Sequence, residues 1–296
     1  KPRRGCRGVV VAVALAAAGC GGAGVPSARG ATVTAPAPAG AASGVPAASA
    51  PVDGGALGDE VAAMLARVAS VRGLPPRTEV RGEVIERSEM LERLQRKLRE
   101  EVPQAVVAAQ SELLFALGTV PADFEYERSL LEMMEDQLAG FYEPDEGTMF
   151  LMSDLGGAER AATLAHELVH ALQDQHFGLG GRLDYRDDAN DEQSALHTLA
   201  EGEATSVMLE VAQGRSVLES SDAALALMMR GGVAVGSGEG IPGIIKRSIV
   251  APYVDGLIAV HQARRESGWG GVDALWARPP RTTEQLLHRE RWVADE

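Results

Sequence analysis

Residues 165–177 read Ala-His-Glu-Leu-Val-His-Ala-Leu-Gln-Asp-Gln-His-Phe, and this stretch decides the fold. It falls in a helix predicted over Ala158–Gln175. Four residues turn an α-helix by about 400°, so His166 and His170 project from one face, one turn apart. That spacing lets two imidazoles bind one Zn²⁺. Glu167 points toward the rim of the same site, where it can take a proton from an activated water and return it to a leaving amine. The plainer alternative is a pair of packed or surface histidines. Against it stands the position of the motif, between a candidate hairpin and a long helix.

A catalytic zinc site needs a third protein ligand and an open position. Glu201 stands in Leu199-Ala-Glu-Gly-Glu-Ala204, on the next long helix. Glu203 lies two residues on, roughly the opposite way round that helix. His176 completes HELVHALQDQH, which nearly fits HExxHxxGxxH. The glycine that would turn the chain there is replaced by Gln173, so His176 ranks lower. His197, one turn before Glu201, reads as a residue supporting that carboxylate.

Working outward, helical spacing covers Asp59–Val71, Ser88–Glu101, Pro103–Leu117 and Glu127–Leu138. Glu79–Ile85 reads as a strand. Phe141–Leu151 reads as two short strands about a Pro-Asp-Glu-Gly turn. Helices follow over Asn190–Gly214, with Asn190 a fair N-cap, over Leu218–Met229, and over Ile244–Arg265 with room for a break at Pro252. Thr282 and Gln285 are spaced as a capping box. The glycines of 231–243 lack Gly-Lys-Ser/Thr and make no phosphate loop. Met133, Met134, Met228 and Met229 read as core, and Trp269, Trp276 and Trp292 as packing for the C-terminal helices. The fold class is α+β, a mostly helical domain with a small sheet whose edge hairpin packs on the HExxH helix.

Leu-Ala-Glu-Gly-Glu-Ala resembles the Leu-Asn-Glu-Gly-Phe-Ala segment of the gluzincin aminopeptidases. Residues 135–292 also resemble a group of bacterial zincin-like metallopeptidases, through FYEPDEGTMFL, LAHELVHALQDQHF, EGEA, Pro252-Tyr253 with Gly256, and the segment Pro279–His288. The resemblance implies a zincin-like fold with His166, His170 and Glu201 on zinc and Glu167 as base. The spacing from His170 to Glu201 is longer than in the aminopeptidases. No counterpart of their amine-binding motif is present, which points to an endopeptidase. In zincins the strand before the metal helix borders the active site. On that pattern Thr148–Leu151 would pair with an extended peptide, an ordinary hairpin being the equal alternative. An oxyanion donor is also expected: Tyr253 is the candidate and His261 the runner-up, against a plain packing role for each.

Lys1, Arg3, Arg4 and Arg7 precede the apolar run Val9–Ala18. Spanning a bilayer takes about 20 apolar residues, so this shorter run reads as a secretory signal. Leu15-Ala-Ala-Ala-Gly-Cys20 resembles the lipobox of bacterial lipoproteins, where cleavage precedes a cysteine that is then lipidated; Ala17 stands where Leu is usual. An ordinary cleaved signal with an incidental cysteine is the alternative. The expected organisation is a signal peptide over 1–19, lipidated Cys20 and a disordered tether over 20–56, and the metallopeptidase domain over 57–296. The tether is almost all Gly, Ala, Pro, Ser, Val and Thr, too little apolar area to offset chain entropy.

The chain carries 28 basic and 42 acidic residues, a net −14. Without Lys1, Arg3, Arg4 and Arg7 the balance is 24 against 42, or −18. That acid surplus argues against nucleic-acid binding. Cys6 falls in the removed segment, and one remaining cysteine makes no disulfide. The reading is a membrane-anchored, extracytoplasmic zinc peptidase of the bacterial cell envelope, with peptide or protein substrates. The alternative is a non-catalytic zincin-like binding or structural lipoprotein. Glu167 favours the enzyme, because a structural zinc site needs no base there.

Overall fold

A computed structural model describes residues 54–296 except 102, 187 and 233–241. The signal segment, Cys20, nearly all of the tether and most of the glycine-rich stretch lie outside the described residues, as do the side chains of Met133 and Met134. In chain order the elements are α1 (Gly54–Arg72), β1 (Arg81–Ile85), α2 (Arg87–Glu101), α3 (Gln104–Ala116), α4 (Tyr126–Gln137), β2 (Gly140–Glu143), β3 (Thr148–Met152), α5 (Gly157–Phe177), α6 (Leu179–Arg182), α7 (Asn190–Gln213), α8 (Asp222–Gly232), α9 (Gly243–Ser267), α10 (Trp269–Ala277), α11 (Thr283–Leu287) and α12 (Arg289–Ala294). The fold is α+β and mostly helical, with one small mixed sheet.

The hairpin forms as its turn residues dictate. Gly147 takes φ +60°, a conformation that L side chains disfavour. Its placement in the sheet corrects one expectation. Strand order is β1-β3-β2, so Thr148–Leu151 lies in the central strand and not at the edge. β1 pairs with it in parallel (Arg81 opposite Thr148) and β2 in antiparallel (Gly140 opposite Leu151). Both ladders of β3 are thus filled, and no added peptide can pair there. The cause is a long-range partner: β1 arrives from beyond two intervening helices and a third. β2 and β3 are buried at every position, so they show no alternation of polar and apolar residues.

The sheet packs on α5, and α5 packs on α7. One core joins α1, the hairpin, α5, α7 and α9 through residues such as Val61, Leu151, Leu168, Val207 and Leu257. A second joins α7 and α9 to the C-terminal helices through Leu199, Val260, Trp276 and Trp292. Met229 is buried in the first and Met228 packs against it. α7 therefore runs between two cores, with Leu199–Leu209 buried throughout.

The closest approach in this arrangement is glycine on glycine. A Cβ on Gly256 would stand 2.0 Å from the Thr198 carbonyl oxygen, and one on Gly202 would stand 2.0 Å from the Gly256 carbonyl carbon. Only hydrogen at both positions lets α7 and α9 cross this closely.

Three boundaries differ from the sequence reading. α9 continues through Pro252 instead of breaking, since burial of Tyr253, Val254 and Leu257 on its inner face holds both halves in line. The stretch expected as a helix from Leu218 is split into a 3₁₀ turn at Val217–Glu219 and α8. Serines do this: Ser216 accepts the Leu218 N–H, and Ser221 accepts the Ala224 N–H to start α8. Asn190 is the first residue of α7; Ala189 takes the N-cap position, without a side-chain cap bond. Thr282 does cap α11 by accepting the Gln285 N–H (3.1 Å), but the Gln285 side chain returns to the Arg281 N–H rather than to Thr282.

Gly256→Ala is expected to destabilise the protein by about 3 kcal/mol, because a methyl group against a backbone carbonyl can be relieved only by separating two core helices. Denaturant unfolding measures this; a loss under about 1 kcal/mol would show that the crossing is not rigid.

Candidate metal centre

α5 presents His166 and His170 one turn apart toward α7, which presents Glu201. His166 Nε2 lies 3.0 Å from Glu201 Oε2 and 3.2 Å from His170 Nε2. His170 Nε2 lies 3.6 Å from the same carboxylate oxygen. These three buried side chains form a group able to hold a metal ion. Each is at most 2 % exposed.

The site's charges are unequal despite similar burial. Burial pushes Glu201 up, but His170, His166 and His197 outweigh it and hold the carboxyl well below its usual range. Burial pulls His170 down, while Glu201 and then Glu167 bring it up to about 9. His166 is lowered, chiefly by burial, against the pull of Glu201. Glu167 is pushed well above the carboxylate range by burial, with the negative charge of Glu201 adding to it. Its Oε2 accepts the Tyr142 N–H of β2 (3.1 Å). Its Oε1 is buried without a hydrogen-bond partner among the described residues.

The other candidates fall around this group. Tyr253 comes in from α9 with its ring centroid 5.8 Å from that of His166. The crossing at Gly202 and Gly256, one turn further along α9, is what admits it. His197 is a third exposed, with Nδ1 3.7 Å from Glu201 Oε1. His261 does not join the site: its Nδ1 lies 2.6 Å from Asp222 Oδ1 at the start of α8. His176 is not a ligand either. α5 ends at Gly178 (φ +68°), beyond His176 rather than before it, and the His176 Nε2 lies 2.8 Å from the Pro75 carbonyl oxygen. Glu203 faces away from the two histidines and accepts from Arg72, Trp276 and Gln173.

Sequence reasoning missed Gln173, Arg72 and Tyr142. Gln173 carried a signal that was read only negatively, as the residue replacing a glycine. Arg72 and Tyr142 reach the site over long sequence distances and carry no local signal.

Comparison of the chain with protein-family models, curated proteins and solved structures finds no match.

Removing one of three donors should cost far more than removing a distant imidazole. Glu201→Ala is expected to weaken Zn²⁺ binding by more than about 100-fold, and His176→Ala to leave it unchanged. Competition with a chromophoric chelator reads both; the opposite ranking would exclude Glu201 as the third ligand.

Proposed function

We propose that this protein is a zinc-dependent peptidase, acting as an endopeptidase with Glu167 as its general base. The observation that carries the reading is the buried His166-His170-Glu201 group with the Glu167 carboxylate adjoining it. Two imidazoles and a carboxylate are the donor set of hydrolytic zinc sites. Donors bound at about 2.0–2.1 Å to one tetrahedral ion stand about 3.4 Å apart. The three separations here, 3.0, 3.2 and 3.6 Å, bracket that value. Three protein donors also leave a coordination position for water or substrate.

When bound, zinc would polarise the scissile carbonyl and acidify a water molecule. Glu167 accepts the proton of the attacking water and passes it to the leaving amine. Its position suits this work: Oε2 is fixed by Tyr142, Oε1 is uncommitted, and burial raises its affinity for protons. Tyr253, beside His166, would donate to the developing oxyanion.

Glu167→Gln is expected to keep zinc and to lower cleavage of a peptide library by about 10²–10⁴-fold. Cleavage at the wild-type rate would remove Glu167 from the mechanism. Zinc bound without cleavage of any peptide by the wild type would favour the non-catalytic binding reading.

We further propose attachment to the cell-envelope membrane through lipidated Cys20. No helix of the described residues is long and apolar enough to cross a membrane. Cys20→Ser should move the protein from the membrane to the soluble fraction; unchanged membrane retention would refute lipidation at that site.

A further inference from the structure

His170 must present one particular nitrogen to the metal, and a side chain on its own helix settles which. Gln173 is fully buried three residues further along α5. Its Nε2 donates to the Ala200 carbonyl oxygen (3.0 Å) and to Glu203 Oε2 (3.2 Å). Both neighbours only accept, so the orientation of the amide is fixed. Its Oε1 then faces His170 Nδ1 at 2.8 Å. An amide oxygen cannot donate, so the proton belongs to His170 Nδ1, and Nε2 is left for the group formed with His166 and Glu201.

The acceptor that fixes Gln173 is itself held. Glu203 takes a hydrogen bond from the Arg72 Nε on one oxygen and from the Trp276 Nε1 on the other. Arg72 also donates to Asp273 Oδ1 (2.6 Å) and lies over the Trp269 ring (4.6 Å to the centroid). Gln173, Glu203, Arg72 and Trp276 are each at most 1 % exposed. A buried ion pair is a poor source of net stability, because desolvation of both charges offsets their attraction. What Arg72 and Glu203 supply here is a carboxylate in one fixed orientation, against the one side chain that orients a metal-binding histidine.

We infer that Gln173 is the positioning residue of the metal centre, setting the His170 tautomer, and that Glu203, Arg72 and Trp276 form the buried brace that keeps it so. This rests on the metal reading above but not on peptidase activity. Support of this kind behind a metal ligand contributes about 10–100-fold in affinity.

The test measures Zn²⁺ affinity of the purified protein by chelator competition, together with the nitrogen-15 spectrum of its histidines. Gln173→Leu is expected to bind Zn²⁺ about 10–100-fold more weakly and, in the zinc-loaded protein, to move the His170 Nδ1–H resonance upfield because its acceptor is gone. Gln173→Glu places a second carboxylate against Glu203 and weakens binding as well. Trp276→Phe removes the indole N–H that holds Glu203 Oε2 and keeps a ring stacked on Phe177, and is expected to weaken Zn²⁺ binding about threefold or more. Trp276→Phe also serves where Gln173→Leu fails to fold. Wild-type affinity in Gln173→Leu overturns the proposal, as does an unmoved His170 Nδ1–H resonance in that variant or wild-type affinity in Trp276→Phe. A wild-type protein that binds no Zn²⁺ overturns the metal reading itself, a result distinct from these.

Discussion

Everything at the site depends on how closely α7 and α9 approach at Gly202 and Gly256. Gly202 separates Glu201, which faces the two histidines, from Glu203, which faces the opposite brace. Gly256 lies one turn beyond Tyr253, the ring that stands beside His166. A helix pair set wider by one methyl group would withdraw Tyr253 from the histidines and loosen the burial of both carboxylates. The Glu-Gly-Glu sequence thus combines two chemical duties with one steric one. The glycine costs helix propensity, about 1 kcal/mol against alanine, and the contact that it permits compensates.

Three glutamates share this core, and their neighbours assign them different work. Glu201 lies among imidazoles and stays ionised. Glu203 faces a guanidinium, an indole and an amide, and serves as a fixed acceptor. Glu167 is buried with one backbone N–H as partner, and burial, with the negative charge of Glu201 adding to it, raises its affinity for protons. Pairs of like groups driven apart in this way are how a site divides ligand from base. Identical side chains are distinguished here by the partners that each one meets.

Sequence reading located what depends on local spacing. HELVH announces itself because two candidate ligands one helical turn apart need only that turn. The Pro-Asp-Glu-Gly hairpin and the threonine cap at 282 were legible for the same reason. EGEA could be placed on a helix, but choosing Glu201 over Glu203 took a family resemblance; the structure chooses by the side of α7 that each occupies. Features that depend on distant partners were misread or unseen. Thr148–Leu151 looked like an edge because β1, its parallel neighbour, lies more than 60 residues upstream. Pro252 looked like a break because packing on its helix's inner face is invisible in a local window. Gln173 looked like a defect in a longer motif, and only the Ala200 carbonyl and Glu203 reveal its use.

Arg72 is the last residue of α1 and the counter-ion of a carboxylate in the centre of the domain. This sets the smallest unit that can fold around the site. A fragment beginning after residue 73 would retain every residue from HELVH to Tyr253. It would also retain Glu203, now a charge in an apolar core with no cation to meet it. The boundary of the unit around the site is therefore an electrostatic one, and it lies nearly a hundred residues before the motif that marks the site.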